Sequence, residues 1–249
     1  EKVCEDWEER KRGVDLIHAQ KLYGENKVEE AAELGHPRAQ GEMASRCHHG
    51  MGGQAEDQVK CVYWARKAAV GGDSFGQYRL GWAFYHAFGG LEKNNALAVE
   101  WCTKAAEQGC VNSMLYIGTI YQEGGHGVAR NLETAVSWFR KAAEEGDTEG
   151  QYYLGMCYYE GKGVAMNQVT ARFWYQKSAD QYDEDDEDED CANSQRELGK
   201  MIMKGEGGGQ DPEEAVSLWK KAAAQGNVKA RGYLEKMKTF NFDDCEFAN

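Results

Sequence analysis

The sequence predicts an all-α fold, a solenoid of antiparallel helix pairs with about five to six repeats in line. Three observations carry this. A Lys-Ala-Ala motif recurs at a near-constant interval. A small-residue and Leu-Gly pattern precedes each copy. Glycine clusters separate the two halves, and the 249 residues hold 30 glycines but only 2 prolines. Self-similarity at a period between 20 and 50 residues is the mark of stacked supersecondary units.

The second helix of each unit is the easiest to place. Lys67-Ala68-Ala69, Lys104-Ala105-Ala106, Lys141-Ala142-Ala143, Lys177-Ser178-Ala179 and Lys221-Ala222-Ala223 share one motif, with Glu30-Ala31-Ala32 a weaker copy. The successive spacings are 37, 37, 37, 36 and 44 residues. Three residues upstream of the Lys stands Trp64, Trp101, Trp138 or Trp174, with Leu218 in the last copy; six upstream stands Cys61, Ala98, Ala135, Ala171 or Ala215. Ten upstream stands Asp57, Asn94, Asn131, Asn167 or Asp211. An Asx residue there reads as an N-cap, whose side-chain oxygen takes an otherwise orphaned backbone N–H. Asp211-Pro212 adds proline at the first helical position.

A first helix precedes each of these. It is anchored on Leu80-Gly81, Ile117-Gly118, Leu154-Gly155 and Leu198-Gly199, with Met43-Ala44 in the first full copy. Five residues before the glycine position the side chain is small (Ala39, Gly76, Ser113, Gly150, Ser194), and three after it is usually large (Phe84, Tyr121, Tyr158, Ile202; Cys47 in the first copy). These positions repeat every four residues, so they share one helix face. Glycine inside a helix costs about 1 kcal/mol against alanine, so its recurrence implies close approach of a neighbouring helix. Between the helices lie Gly50-Met51-Gly52-Gly53, Gly89-Gly90, Gly125-His126-Gly127, Gly161-Lys162-Gly163 and Gly205-Glu206-Gly207-Gly208-Gly209. Glycine supplies the positive φ that ends a helix and turns the chain. No strand precedes these clusters and they recur in every unit, which argues for turn chemistry over a phosphate loop.

This pattern resembles the Sel-1-like repeat family, relatives of the tetratricopeptide repeats. The family's first half runs small-x-x-x-Leu-Gly-x-x-Tyr-x-x-Gly-x-Gly-Val, and its second half runs through Trp or Tyr to Lys-Ala-Ala and a glycine. Gly150 to Val164, followed by Trp174, Lys177 and Ala179, is similar to it. So is Gly118 to Val128 followed by Trp138 to Gly146. The resemblance covers about Ala39 to Leu234 and implies a right-handed α/α superhelix used as a protein-binding scaffold, with no catalytic residues to carry over. The expected organisation is a degenerate N-terminal helical cap over 1–35, repeats over 36–72, 73–109, 110–146 and 147–182, an acidic insert at 183–190, a fifth repeat over 191–226, and a capping helix and tail over 227–249. Terminal units need a polar outer face, which fits Glu235, Lys236 and Lys238. Phe240, Phe242 and Phe247 follow and could fold back or bind elsewhere.

The 44-residue interval has a local cause, the run Asp183, Glu184, Asp185, Asp186, Glu187, Asp188, Glu189, Asp190. Eight like charges repel and stay extended. They are expected to form a loop between units, either simply solvated or an acidic docking strip for a basic partner. The formal net charge is −13, and this run holds eight of those charges, leaving −5 for the rest. No basic stripe is present, so nucleic acid is not an expected partner. No stretch approaches the ~20 apolar residues of a membrane span.

The eight cysteines form no C-x-x-C and no zinc spacing. In the disulfide-linked branch of the resembling family a cysteine pair sits at fixed places in each unit, and this sequence departs from that. Cys47 and Cys61 take core slots of one unit and could meet, which leaves a Cys47–Cys61 bridge open. The lack of a regular disulfide pattern favours a cytoplasmic or organelle interior. The chain opens on Glu1, so it is expected to be a processed or trimmed piece, and the lack of a leader carries no information about compartment.

A partner is expected on a second stripe of the first helices, at positions −3, +1 and +4 from the glycine. Its candidate binding residues are Tyr78, Trp82 and Tyr85, then Tyr152, Met156 and Tyr159, then Arg196 and Lys200. Aromatics are enriched at binding hot spots, though part of the stripe is also expected to pack between units. The six histidines join no Ser/His/Asp or Cys/His constellation. The expectation is a non-enzymatic scaffold or adaptor for a protein partner, with no cofactor and no metal. The alternatives are a repeat domain of a larger enzyme serving as regulatory or substrate dock and, last, a β-lactam-binding hydrolase. Oligomeric state is not legible.

Overall fold

The computed structural model describes residues 13, 15–49, 57–181 and 189–239. They fall into two compact units, one up to Arg130 and the other from Asn131 onward. In the first, α1 (residues 15–24) and α2 (Val28–Glu33) lead into α3 (Pro37–His49), α4 (Gln58–Val70), α5 (Ser74–His86), α6 (Asn95–Ala106) and α7 (Val111–Glu123), with a 3-10 turn at Phe88–Gly90. In the second, α8 (Leu132–Glu144), α9 (Thr148–Glu160), α10 (Gln168–Ala179), α11 (Glu189–Lys204), α12 (Pro212–Ala224) and α13 (Val228–Thr239) follow. No β-strand occurs among the described residues. The fold is all-α, successive helices packing as antiparallel pairs. The first helices also touch one another, α3 with α5 and α5 with α7 in one unit, α9 with α11 in the other.

The helices begin where the capping chemistry places them. Asp57, Asn94, Asn131, Asn167 and Asp211 each accept the backbone N–H three residues on, from Lys60, Leu97, Thr134, Thr170 and Glu214, at 2.9 to 3.0 Å. Three caps were not anticipated. Asp73 and Asp147 accept from Gly76 and Gly150 at 2.7 Å, and Asn227 from Ala230 at 3.0 Å, so first helices use the same device. Each such cap is worth about 1 kcal/mol.

Packing explains the rest of the motif. A Cβ on Gly150 would lie 2.7 Å from the Cβ of Ala142, and one on Gly76 would collide with Ala68. The small residue of each first helix therefore rests on the first alanine of the preceding Lys-Ala-Ala. The glycine of Leu-Gly meets the residue after the motif's Trp: Gly81 faces Cys102, Gly155 the ring of Tyr175, and Gly199 the indole of Trp219. That indole donates to the Arg196 carbonyl at 3.1 Å. The Trp itself is half-exposed in several copies and carries its Lys as a cation–π partner, Lys104 lying 4.2 Å from Trp101 and Lys141 3.9 Å from Trp138.

The turn glycines do two jobs. Gly89, Gly163 and Gly207 have φ of 64°, 69° and 72°. Each also lies against the start of the preceding second helix, at the carbonyls of Gln58, Leu132 and Gln168. Gly50, Gly52 and Gly53 lie outside the described residues.

A buried glutamine ladder ties unit to unit. Gln40, Gln77, Gln151 and Gln195, all four residues before the glycine position, donate to the carbonyls of Ala32, Ala69, Ala143 and Ala179. Gln108, Gln181 and Gln225 then donate to Gln77, Gln151 and Gln195 at 2.8 to 2.9 Å. The bond from Gln40 to Ala32 shows that Glu30-Ala31-Ala32 is a true copy of the motif. Replacing Gln151, only 4% exposed, by leucine removes two side-chain hydrogen bonds at once, the one it donates to the Ala143 carbonyl and the one it accepts from the Gln181 amide. We expect a loss of about 2 to 3 kcal/mol by urea unfolding, whereas Gln181→Leu, at an exposed residue, costs about 1 kcal/mol.

The acidic run needs a correction. Residues 183–188 lie outside the described residues, but Glu189 and Asp190 are not loop; they form the first turn of α11. Carboxylates there are favoured by the partial positive charge of a helix N-terminus. Phe240, Phe242, Phe247, Cys4 and Cys245 also lie outside the described residues.

Candidate functional site

In the first unit, Tyr78, Trp82 and Tyr85 of α5 are all half-buried and sit in one group of rings. Tyr116 of α7, also half-buried, lies 5.8 Å from both Tyr78 and Tyr85, centroid to centroid. Trp82 meets His86 at 4.7 Å, Phe88 at 4.9 Å and His48 of α3 at 5.4 Å. The Tyr85 hydroxyl donates to Glu123 at 2.8 Å, and Lys93 stands 4.7 Å over its ring. The group thus spans three first helices. Burial raises the Tyr78 phenol far above its ordinary value, so it stays neutral. Burial and the nearby Lys93 lower the His86 pKa, which keeps that ring neutral at pH 7.

In the second unit the predicted residues are less exposed than their register suggested. Tyr152, Met156 and Tyr159 pack partly against the core of α10, α11 and α12. Arg196 is buried, at 7% exposure, and is bound to Glu197 at 2.6 Å, with Lys200 2.7 Å from the same carboxylate. The Tyr159 hydroxyl donates to Glu206 at 3.0 Å. Here the stripe is a charged network edged by two tyrosines.

Burial opposes ionisation of Glu197, but Lys200 and Arg196 outweigh it and hold the carboxyl below the usual carboxylate range. A depressed folded-state pKa contributes stability above the unfolded value of about 4.3 and loses it as pH falls through the folded value. Glu197→Gln should therefore flatten the fall in stability on the acid side of about pH 4.3 and lower stability at pH 7. Urea melts of both proteins from neutral to acid pH would show it; parallel curves would refute it.

Sequence reading missed Tyr116, His48, His86 and Glu197. Tyr116 and Glu197 sit two residues before the glycine, a register that looked like part of the packed face. For Tyr116 the approach of α7 to α5 brings that register to the stripe, whereas Glu197 is drawn to it by Arg196 and Lys200 of its own helix.

The cysteine expectations are corrected in part. Cys47, Cys61, Cys102, Cys157 and Cys191 are buried free thiols, and Cys110 is half-buried. Cys47 and Cys61 lie in one core cluster with Ala44, Ala65 and Leu80, yet the bridge left open by the sequence is not formed. Burial pushes the Cys102 thiol up to about 12 and Cys157 to about 11. These thiols are packing groups, protonated at neutral pH. His36 is likewise structural: it stacks 4.6 Å from Tyr23, and its Nδ1 accepts the Ala39 N–H at 3.2 Å.

Repeated helix pairs with this capping, glycine and Lys-Ala-Ala geometry match a known family. The Sel1 repeat model aligns with residues 37–73, 74–110, 111–147, 148–183 and 192–227. The chain belongs to the Sel1 repeat family. Among solved structures, this Sel1 repeat protein is similar to c5321, a protective antigen of uropathogenic Escherichia coli strains displaying an SLR fold. The identity is 31% and the TM-score 0.75, over 92% of this chain and 49% of that one. The chain therefore spans about half the length of c5321. A Sel1 repeat protein from Oxalobacter formigenes is 27% identical with a TM-score of 0.73, over 90% of this chain and 87% of that one. No curated protein sequence matches the chain. Sel1 repeats generally mediate protein interactions. No helix among the described residues is long and apolar enough to cross a membrane.

Proposed function

We propose that this Sel1 repeat protein is a non-enzymatic scaffold or adaptor that binds a peptide or helix of a protein partner along its first helices. The observation that carries the reading is the ring cluster of Tyr78, Trp82, Tyr85, His86 and Tyr116 on α5 and α7. Tyr78, Trp82, Tyr85 and Tyr116 are half-buried and His86 is exposed: the group is packed well enough to be held rigid and open enough to cover a ligand, as hot-spot aromatics are. Tyr152, Met156, Tyr159, Arg196 and Lys200 offer a second, more polar stretch on α9 and α11. The Cys102 and Cys157 thiols give no support to a nucleophile, since burial keeps them protonated.

Selection of random peptides displayed on phage against the full chain tests this. Selected peptides should lose at least about tenfold in affinity on Trp82→Ala, and less on Tyr152→Ala. Unchanged affinity with intact circular dichroism rules out the ring face. The Asp183–Asp190 run extends the proposal to basic partners: deletion of residues 183–188, ahead of α11, should weaken only peptides whose binding falls with salt.

A further inference from the structure

Arg79 of α5 lies beside the ring cluster and is buried, at 9% exposure. A buried guanidinium ordinarily has a carboxylate beside it, because an unpaired charge away from water is costly. Arg196, at 7% exposure, has Glu197 at 2.6 Å. Arg79 has no such partner among the described residues. Its Nε makes no hydrogen bond, and its Nη2 donates only to the Cys61 thiol, a long contact of 3.9 Å to a weak acceptor. The ring of Trp82 lies 5.2 Å from its guanidinium carbon. That ring is half-buried and joined to His48 and Phe88, so the cation sits at the edge of the surface assigned above to a ligand.

We propose that Arg79 is an anchoring site for the carboxylate of an aspartate or glutamate side chain carried by a peptide docked across α3, α5 and α7. This rests on the scaffold reading and names the partner's chemistry at one position. The guanidinium fork matches a carboxylate in two parallel hydrogen bonds, which the thiol cannot supply. A side chain is favoured over a chain terminus because α5 is the middle one of three touching first helices, so a chain crossing them continues on both sides. The flat ring of Trp82 beside the cation suits an apolar neighbour of the acidic residue.

Side-chain NMR of the full chain reads the Arg79 Nε–H and the Trp82 indole N–H directly. The probes are N-acetyl-glutamate N-methylamide, its glutamine counterpart and N-acetyl-leucine, whose carboxylate is terminal. The glutamate probe should shift both signals saturably, at least tenfold more tightly than the glutamine probe and more tightly than N-acetyl-leucine. In Arg79→Met the Trp82 signal should no longer distinguish glutamate from glutamine. Arg79→Met should also melt at or above the wild-type Tm, because an unpaired buried cation has been replaced by an apolar chain of similar length. Equal response of the wild type to glutamate and glutamine overturns the proposal. So does a preference for glutamate that survives Arg79→Met, tighter binding of N-acetyl-leucine, or a lowered Tm. Peptides selected on phage that depend on Trp82 but not on this charge would leave the scaffold reading standing and remove only the assignment to Arg79.

Discussion

Gly163→Ala should destabilise the second unit by about 3 kcal/mol or more, lowering its Tm by roughly 10 °C. Two effects add. Gly163 has φ of 69°, a region that alanine enters only with strain. A Cβ there would also collide with the Leu132 carbonyl and come within 2.9 Å of the Glu133 backbone nitrogen. Neither obstacle can swing aside, since both are main chain at the start of α8. Two controls separate the effects. Gly146 has φ of 91° but nothing within 4 Å of a Cβ, so Gly146→Ala should cost only about 1 kcal/mol. Gly232 lies within α13 with nothing within 4 Å, so Gly232→Ala should stabilise by about 0.5 to 1 kcal/mol. Thermal melts followed by circular dichroism would rank the three. A Gly163→Ala protein no weaker than Gly146→Ala would show that the turn can move away from α8.

Tyr175→Ala should cost a further large amount, about 3 to 5 kcal/mol. Tyr175 is 2% exposed and fills the space above Gly155, where a Cβ would lie 2.8 Å from its Cδ1. The loss has a specific remedy. Gly155→Leu in the wild type drives its side chain into that ring and should be severely destabilising. In the Tyr175→Ala background the same change refills the cavity and should recover at least about 1 kcal/mol. Urea unfolding of the four proteins gives the coupling energy. If the two changes simply add, Gly155 and Tyr175 are not the complementary pair their geometry indicates. Other copies make the same trade with different volumes, Cys102 against Gly81 and Trp219 against Gly199.

That trade marks where sequence reading stops. Asx residues ten positions before each Lys announce helix starts because a cap is a local bond, and all five form. The positions −5 and −1 lie on the packed face because helical periodicity is local too. The role of Trp-plus-one was not legible, since Ala65, Cys102, Phe139, Tyr175 and Trp219 share a position but no chemistry. The glutamine ladder was written in the sequence at two fixed registers. Its meaning needed the distance between one unit's second helix and the next unit's first.

The candidate site divides the same way. Periodicity placed Tyr78, Trp82 and Tyr85 on one stripe of α5, and the structure keeps them together in one group of rings. It could not show that Tyr152, Met156 and Tyr159 lean into the core of α10–α12, or that Arg196 closes on Glu197. Nor could it reveal the isolation of Arg79, because the groups packed around its guanidinium, Cys61 among them, come from other helices. Repeat length, helix ends and turn positions follow from neighbours within about one helical turn, and the amino-acid order alone settles them. Which side chains are buried, paired or left facing a ligand depends on how closely helices stack, and only the folded structure sets that.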